Sequence, residues 1–125
     1  MKIDDKELLL RDLCGRLPYG VKCIVKSDGY IGVISSIESQ YGIAGFDNGR
    51  QEEICDIKPC LYPLSSMTKE QRKEYYAMVK YNITSKDNAK LMDWLNKNHF
   101  DCRGLIARCL AIDATGLNIY KEETK

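Results

Sequence analysis

The side chains here whose chemistry is easiest to name are one histidine and six cysteines. His99 beside a thiol would make a base and a nucleophile, given hydrogen-bond reach and a third group to orient the ring. The thiols stand at Cys14, Cys23, Cys55, Cys60, Cys102 and Cys109, so one of them near His99 would be no surprise. An exposed histidine at a helix end, after the polar run Asn96-Lys97-Asn98, explains His99 without catalysis. Metal chemistry is weaker still. No Cys-x-x-Cys pair occurs, whereas structural zinc sites present closely spaced ligand pairs. A composite of Cys55, Cys60, His99 and Cys102 can be drawn, but buried reduced cysteines acting as small hydrophobes account for these thiols better. No metal and no cofactor is expected.

Carboxylate pairs occur at Glu52-Glu53 and Asp4-Asp5. Neighbours in a strand point to opposite faces, so the first pair cannot act as a dyad. The second is explained by capping a helix. Gly42-Ile43-Ala44-Gly45 is not followed by a helix and fails as a phosphate loop. A more promising set is Arg16, Tyr19, Lys58, Tyr62, Ser65, Ser66, Asp101 and Arg103, polar groups in segments otherwise apolar or tightly folded. Arg16 and Arg103 could grip a phosphate or carboxylate in bidentate fashion, with Tyr19 or Tyr62 stacking on a ring. The competing role is structural: Asp101 and Arg103 pair with each other or cap chain ends.

These residues need elements to hold them. Leu9, Leu10, Leu13 and Leu17 give an apolar stripe to a helix over residues 4–17, with Asp4 or Asp5 as its cap and Arg11, Asp12 and Arg16 off the stripe. Pro18-Tyr19-Gly20 ends it. Four strands follow at 21–26, 30–38, 41–47 and 50–54, joined in part by Asp28-Gly29 and Asn48-Gly49, which suit two-residue type I′ hairpins. In the second strand Ile31, Val33 and Ile37 share one face, and Gly32, Gly42 and Gly45 mark bulges or curvature. The fourth strand is polar enough to be an edge. Pro59 and Pro63 argue against a strand over 57–67, which is expected to cross the sheet irregularly with Leu61 and Leu64 buried. Thr68 and Gln71 form a capping box for a helix to Lys80, with Met67, Tyr75, Met78 and Val79 on its apolar side. Another helix over 85–98 carries Leu91, Met92, Trp94 and Leu95. A short helix is expected up to Leu110 and a last strand over 117–120. The expected fold class is therefore α+β in one domain, residues 1–125. It comprises an N-terminal helix (1–20), a curled four-stranded antiparallel sheet of the SH3-like barrel kind (21–56), a proline-rich crossing (57–67) and two or three helices (68–125).

The totals restrict partners. Nineteen basic and eighteen acidic residues leave a charge of +1, without the basic excess of a duplex DNA binder, so nucleic acid is unsupported. No apolar run approaches the ~20 residues that span a bilayer. The first residues are too charged for a signal peptide, which leads to an expectation of the cytoplasm and no membrane partner.

Three blocks carry a resemblance. Leu13-Cys14-Gly15-Arg16-Leu17-Pro18-Tyr19-Gly20-Val21 resembles an LCxRLPYGV opening. Asp56-Ile57-Lys58-Pro59, Leu61, Pro63 and Ser65-Ser66-Met67-Thr68 resemble an IKPYLxPxSSMT middle. Asp101, Arg103-Gly104-Leu105-Ile106 and Leu110-Ala111 resemble a DYRGLIxxGLA ending, with Cys60 and Cys102 where that pattern has tyrosine. The chain is thus similar to a group of short proteins from Bacteroidetes genomes, prophages and phages. The resemblance implies a setting inside a bacterial host rather than an activity. That setting, the small size and the Arg/Tyr set together give the expectation of a non-enzymatic, homo-oligomeric binding protein that takes a small nucleotide-like ligand, such as a nucleotide immune signal sequestered against host defence. The alternative is an adaptor or inhibitor that engages a host protein through a sheet edge or rim tyrosines.

Overall fold

The computed structural model describes residues 2–120. Helix α1 spans Ile3–Arg16, with Lys2 rather than Asp4 or Asp5 at its N-cap and no side-chain cap bond. The two acids sit in the first turn, where the helix dipole favours them. Its buried residues are Leu9, Asp12, Leu13 and Arg16. That is an i, i+3, i+4, i+7 face, so the buried stripe runs through two charges that the leucine pattern had placed outside.

Strands β1 (Lys22–Val25), β2 (Ile31–Glu38), β3 (Ile43–Phe46) and β4 (Gln51–Glu53) make an antiparallel meander. The hairpins use the expected glycines in other turns. Val25 and Tyr30 bracket a four-residue loop with Gly29 at φ 79°, and Phe46 and Arg50 a three-residue loop with Gly49 at φ 93°. In each only the glycine has positive φ, whereas type I′ needs two such residues. The second is the pattern of a type I turn closed by a glycine bulge. Within β2 the register slips between Ile34 and Ser36. This bulge at Ser35 resets the alternation, so Ile34 and Ile37 face the core while Ile31 is exposed. A Cβ on Gly45 would collide with the Ser36 hydroxyl, which would have to rotate aside to admit any other residue.

The sheet does not stop at four strands, nor close into a barrel. Its order is β4-β3-β2-β1-β5-β6, with β5 (Ile57–Leu61) antiparallel to β1 and β6 (Ile112–Asp113) parallel to β5. The expected irregular crossing is thus an interior strand containing a proline. Register explains it. The Lys26 N–H donates to the Asp56 carbonyl, and pairing alternates from there. Pro59 opposite Cys23 then falls at a non-hydrogen-bonded position, and β6 pairs only from Cys60 onward. The missing N–H leaves no gap in either ladder. Short β4 and β6 form the two edges, which limits edge-to-edge pairing.

After β5 a 3-10 turn at Leu64–Ser66 leads into α2 (Lys69–Lys80), capped by the Thr68–Gln71 box. Helix α3 (Ser85–Lys97) has a second box, Thr84 with Asp87. Helix α2 buries no residue, and both Val79 and Leu64 are exposed. Leu91, Leu95, Met67 and Phe100 form a small core with Tyr75, Met78 and Trp94 around it, apart from the main core under α1. Residues 105–109 make one helix-like turn rather than a helix, and the last strand is 112–113 rather than 117–120.

That turn ends on exposed Cys109 at φ 63°, with Leu110 N–H bonded back to the Leu105 carbonyl. Glycine is the residue suited to this site. Cys109→Gly should therefore stabilise the protein by about 0.5–1 kcal/mol, after glycine's own entropy cost, and raise the melting temperature in calorimetry. A drop in that temperature would show that the thiol packs in a way its exposure does not indicate.

Candidate functional site

The proposed anion grip is an internal ion cluster. Arg16 Nε donates to Asp12 Oδ2 at 2.7 Å, and its Nη2 reaches Asp12 Oδ1 at 3.1 Å and the Phe100 carbonyl at 2.7 Å. Both side chains are essentially inaccessible, and Arg103 Nε lies 3.5 Å from Asp12 Oδ1. Asp101 does not pair with Arg103. Its two oxygens accept the N–H groups of Leu105 and Ile106, capping the turn that follows. Of the two structural roles foreseen for this pair, capping holds, and the arginine turns instead to α1.

The remaining residues scatter. Tyr19 is half-buried in the 3-10 turn after α1. Lys58 lines a cleft of about 360 Å³ with Lys26, Asp5, Cys55 and Cys109. Ser65 faces a separate hollow beside Arg72 and Tyr75. Only Tyr62 and Ser66 come together, in a cleft of about 580 Å³ between the end of α3 and the segment 115–120.

This cleft is built by the way α3 stops. The Phe100 N–H bonds to the Leu95 carbonyl and the His99 N–H to the Asn96 carbonyl, the two bonds of a Schellman motif. His99 occupies the left-handed position at φ 61°. The next residues then lie along β5: Tyr62 N–H bonds to the His99 carbonyl and Asp101 N–H to the Tyr62 carbonyl, both at 2.8 Å. From the other side comes Tyr120. Its hydroxyl accepts from the Lys22 N–H at 2.7 Å and donates to the Cys60 carbonyl at 2.8 Å, fixing the C-terminal segment to β1 and β5. Its ring stacks on His99 with centroids 3.7 Å apart and planes 13° from parallel. Tyr62 packs on both Phe100 and Tyr120. The Ser66 hydroxyl donates to the Pro63 carbonyl, which leaves its oxygen as an acceptor.

His99 is therefore no exposed helix-end residue. Burial pushes its pKa down to about 4, helped by the nearby Arg16 and Lys22 charges, so the ring is neutral at physiological pH. Its Nδ1 is sealed from solvent with no partner among the described residues. Burial raises the Tyr120 and Tyr62 hydroxyls. It also lifts the Cys60 thiol to about 11 and the Cys23 and Cys102 thiols above their usual value. No described thiol lines the cleft, so a Cys–His pair is not assembled there. Cys55, Cys60, His99 and Cys102 do not converge either, as no group of three or more potential ligands does among the described residues.

Sequence reading weighed His99 as a base beside a thiol and preferred an exposed helix end, and it did not place Tyr120, Asn98, Asn118 or Gln71 at a site, though all five line the cleft. One signal was present: α3 ends without a glycine, so a left-handed residue at its end would have to be a side-chain-bearing one such as His99. Among the described residues no helix is long and apolar enough to cross a membrane. No family model matches the chain, nor does any curated protein or solved structure.

Proposed function

We propose that this is a non-enzymatic binding protein of phage or mobile-element origin, working in the cytoplasm of a bacterial host and holding a small nucleotide-like ligand in the 580 Å³ cleft. One observation supports it above others: the cleft combines aromatic walls (Tyr62, Phe100, Tyr120) with amide and hydroxyl groups, and Lys97 is its one charged residue among those described. Ligand sites have this make-up, and volumes of roughly 300–1,000 Å³ are usual for them. A single lysine at the mouth can meet a phosphate. The resemblance of three blocks to proteins of Bacteroidetes genomes, prophages and phages suggests the setting, and sequestering a nucleotide immune signal is the role that fits it. The cleft is open on one side, so a second copy of the chain is the expected cover.

A thermal-shift panel of cyclic dinucleotides, ADP-ribose types and mononucleotides tests this. Ligand at a hundredfold over its Kd adds about 2.7 kcal/mol, a rise of several degrees. The rise should vanish in Tyr62→Ala. If no member of the panel stabilises the protein, the ligand reading fails. A second reading, an adaptor for a host protein, draws support from Tyr76, Val79, Tyr81 and Ile83, all exposed along α2 and the loop after it.

A further inference from the structure

His99 is held at two local costs that the fold does not require. A non-glycine residue in the left-handed region is strained, and Gly or Asn would fill the end of a Schellman motif more cheaply. The sealed Nδ1, without a partner among the described residues, adds a desolvation cost. Costs of this kind persist where the residue serves a site. The ring is also immobilised, clamped flat on Tyr120, whose hydroxyl is itself fixed between β1 and β5.

The two ring nitrogens have different surroundings. Nδ1 is turned inward, and the buried Arg16 guanidinium holds the carbonyl of the very next residue, Phe100. Burial and the nearby Arg16 and Lys22 charges keep the ring neutral, and we assign its proton to Nε2, which leaves the sealed Nδ1 as the lone-pair nitrogen. His99 lines the cleft, and with Nδ1 turned inward Nε2 is the ring nitrogen left to face it. The cleft thus has a rigid, neutral N–H donor beside an aromatic wall. The two arginines that would have gripped a phosphate are committed to Asp12.

We infer that the cleft reads the edge of a flat, uncharged heteroaromatic ring, the nucleobase of its ligand rather than the phosphate, with His99 Nε2–H donating to a ring carbonyl or ring nitrogen. This rests on the ligand-binding reading above. The base packs against Tyr62, and Asn98 and Gln71 offer amides to the rest of its edge. Phosphates stay outside, near Lys97.

Calorimetric titration of the full chain with nucleosides, the matching 5′-monophosphates and inorganic phosphate tests the inference. At least one nucleoside should bind within about threefold of its monophosphate, and phosphate alone should not bind. His99→Gly suits the left-handed backbone and should weaken that nucleoside about tenfold, the worth of one such hydrogen bond. His99→Asn, which also tolerates this backbone, serves if the glycine variant loosens the turn, and its melting temperature should stay near wild type. Nucleotides binding where nucleosides do not would overturn the inference and leave the binding function standing. Unchanged nucleoside affinity in both variants would remove His99 from the site. Silence from every ligand would instead sink the proposed function itself.

Discussion

Asp12→Ala should cost about 3–5 kcal/mol in chemical denaturation, the loss expected when one partner of a buried ion pair is removed. Asp12 is 1% exposed, and Arg16, at 0%, already has one nitrogen without a partner among the described residues. Without the carboxylate, Arg16 keeps a full buried charge with only the Phe100 carbonyl to bind, while Arg103 loses its counter-ion as well. Against a total stability of roughly 5–15 kcal/mol, much of the fold's margin would go. The double replacement Asp12→Leu with Arg16→Met should recover most of that loss, because apolar residues of similar volume often replace buried pairs at no cost. Arg103, a quarter exposed, can turn to water. A loss below about 1 kcal/mol for the single variant would mean that water reaches the cluster, since exposed pairs are worth no more than that.

Tyr120→Ala is the second large effect, and it couples stability to the cleft. The hydroxyl satisfies the Lys22 N–H and the Cys60 carbonyl, and the ring carries the stack on His99. Losing all three should cost about 2–4 kcal/mol and abolish any ligand-induced rise in melting temperature. Tyr120→Phe separates the roles. It should cost about 1–2 kcal/mol through the unpaired backbone groups yet keep the ligand response, because the ring remains. A phenylalanine variant as stable as wild type would show that the hydroxyl bonds add nothing to the anchoring of this segment.

What the sequence made legible is what neighbouring residues decide. Thr68 with Gln71 caps α2 as read, because that box closes within one turn. Gly29 and Gly49 were found as turn residues, though their loops are longer than two residues, since turn type depends on how the flanking strands pair. β4 was read as a polar edge and is one. The larger misses depend on distant partners. Pro59 argued against a strand until its register with Cys23 turned the missing N–H away from the ladder. Asp12 and Arg16 looked solvent-facing, because a charge reads as exposed until its partners, at Phe100 and Arg103, are known. For the site, Tyr62 and Ser66 were legible from their segment, whereas His99 becomes informative only with its backbone angle and with Tyr120 against it. Arg16 and Arg103 were read as a grip for a phosphate or carboxylate, whereas both lie against the Asp12 carboxylate.

The parallel pairing of β5 with β6 also bears on the order in which the chain folds. The β1–β4 hairpins link close neighbours and can form within about 1–10 μs each. β6 joins β5 only after residues 62–111 have made their excursion, and the same return brings Phe100 and Arg103 to α1. Contacts that close so large a loop come late, because the entropy of closure must be met before they repay it. Until then Asp12 and Arg16 stay hydrated, and their burial belongs to the last stage of assembly. The charge cluster therefore governs chiefly how long the folded chain survives, through its unfolding rate, and has little influence on how fast that state is reached.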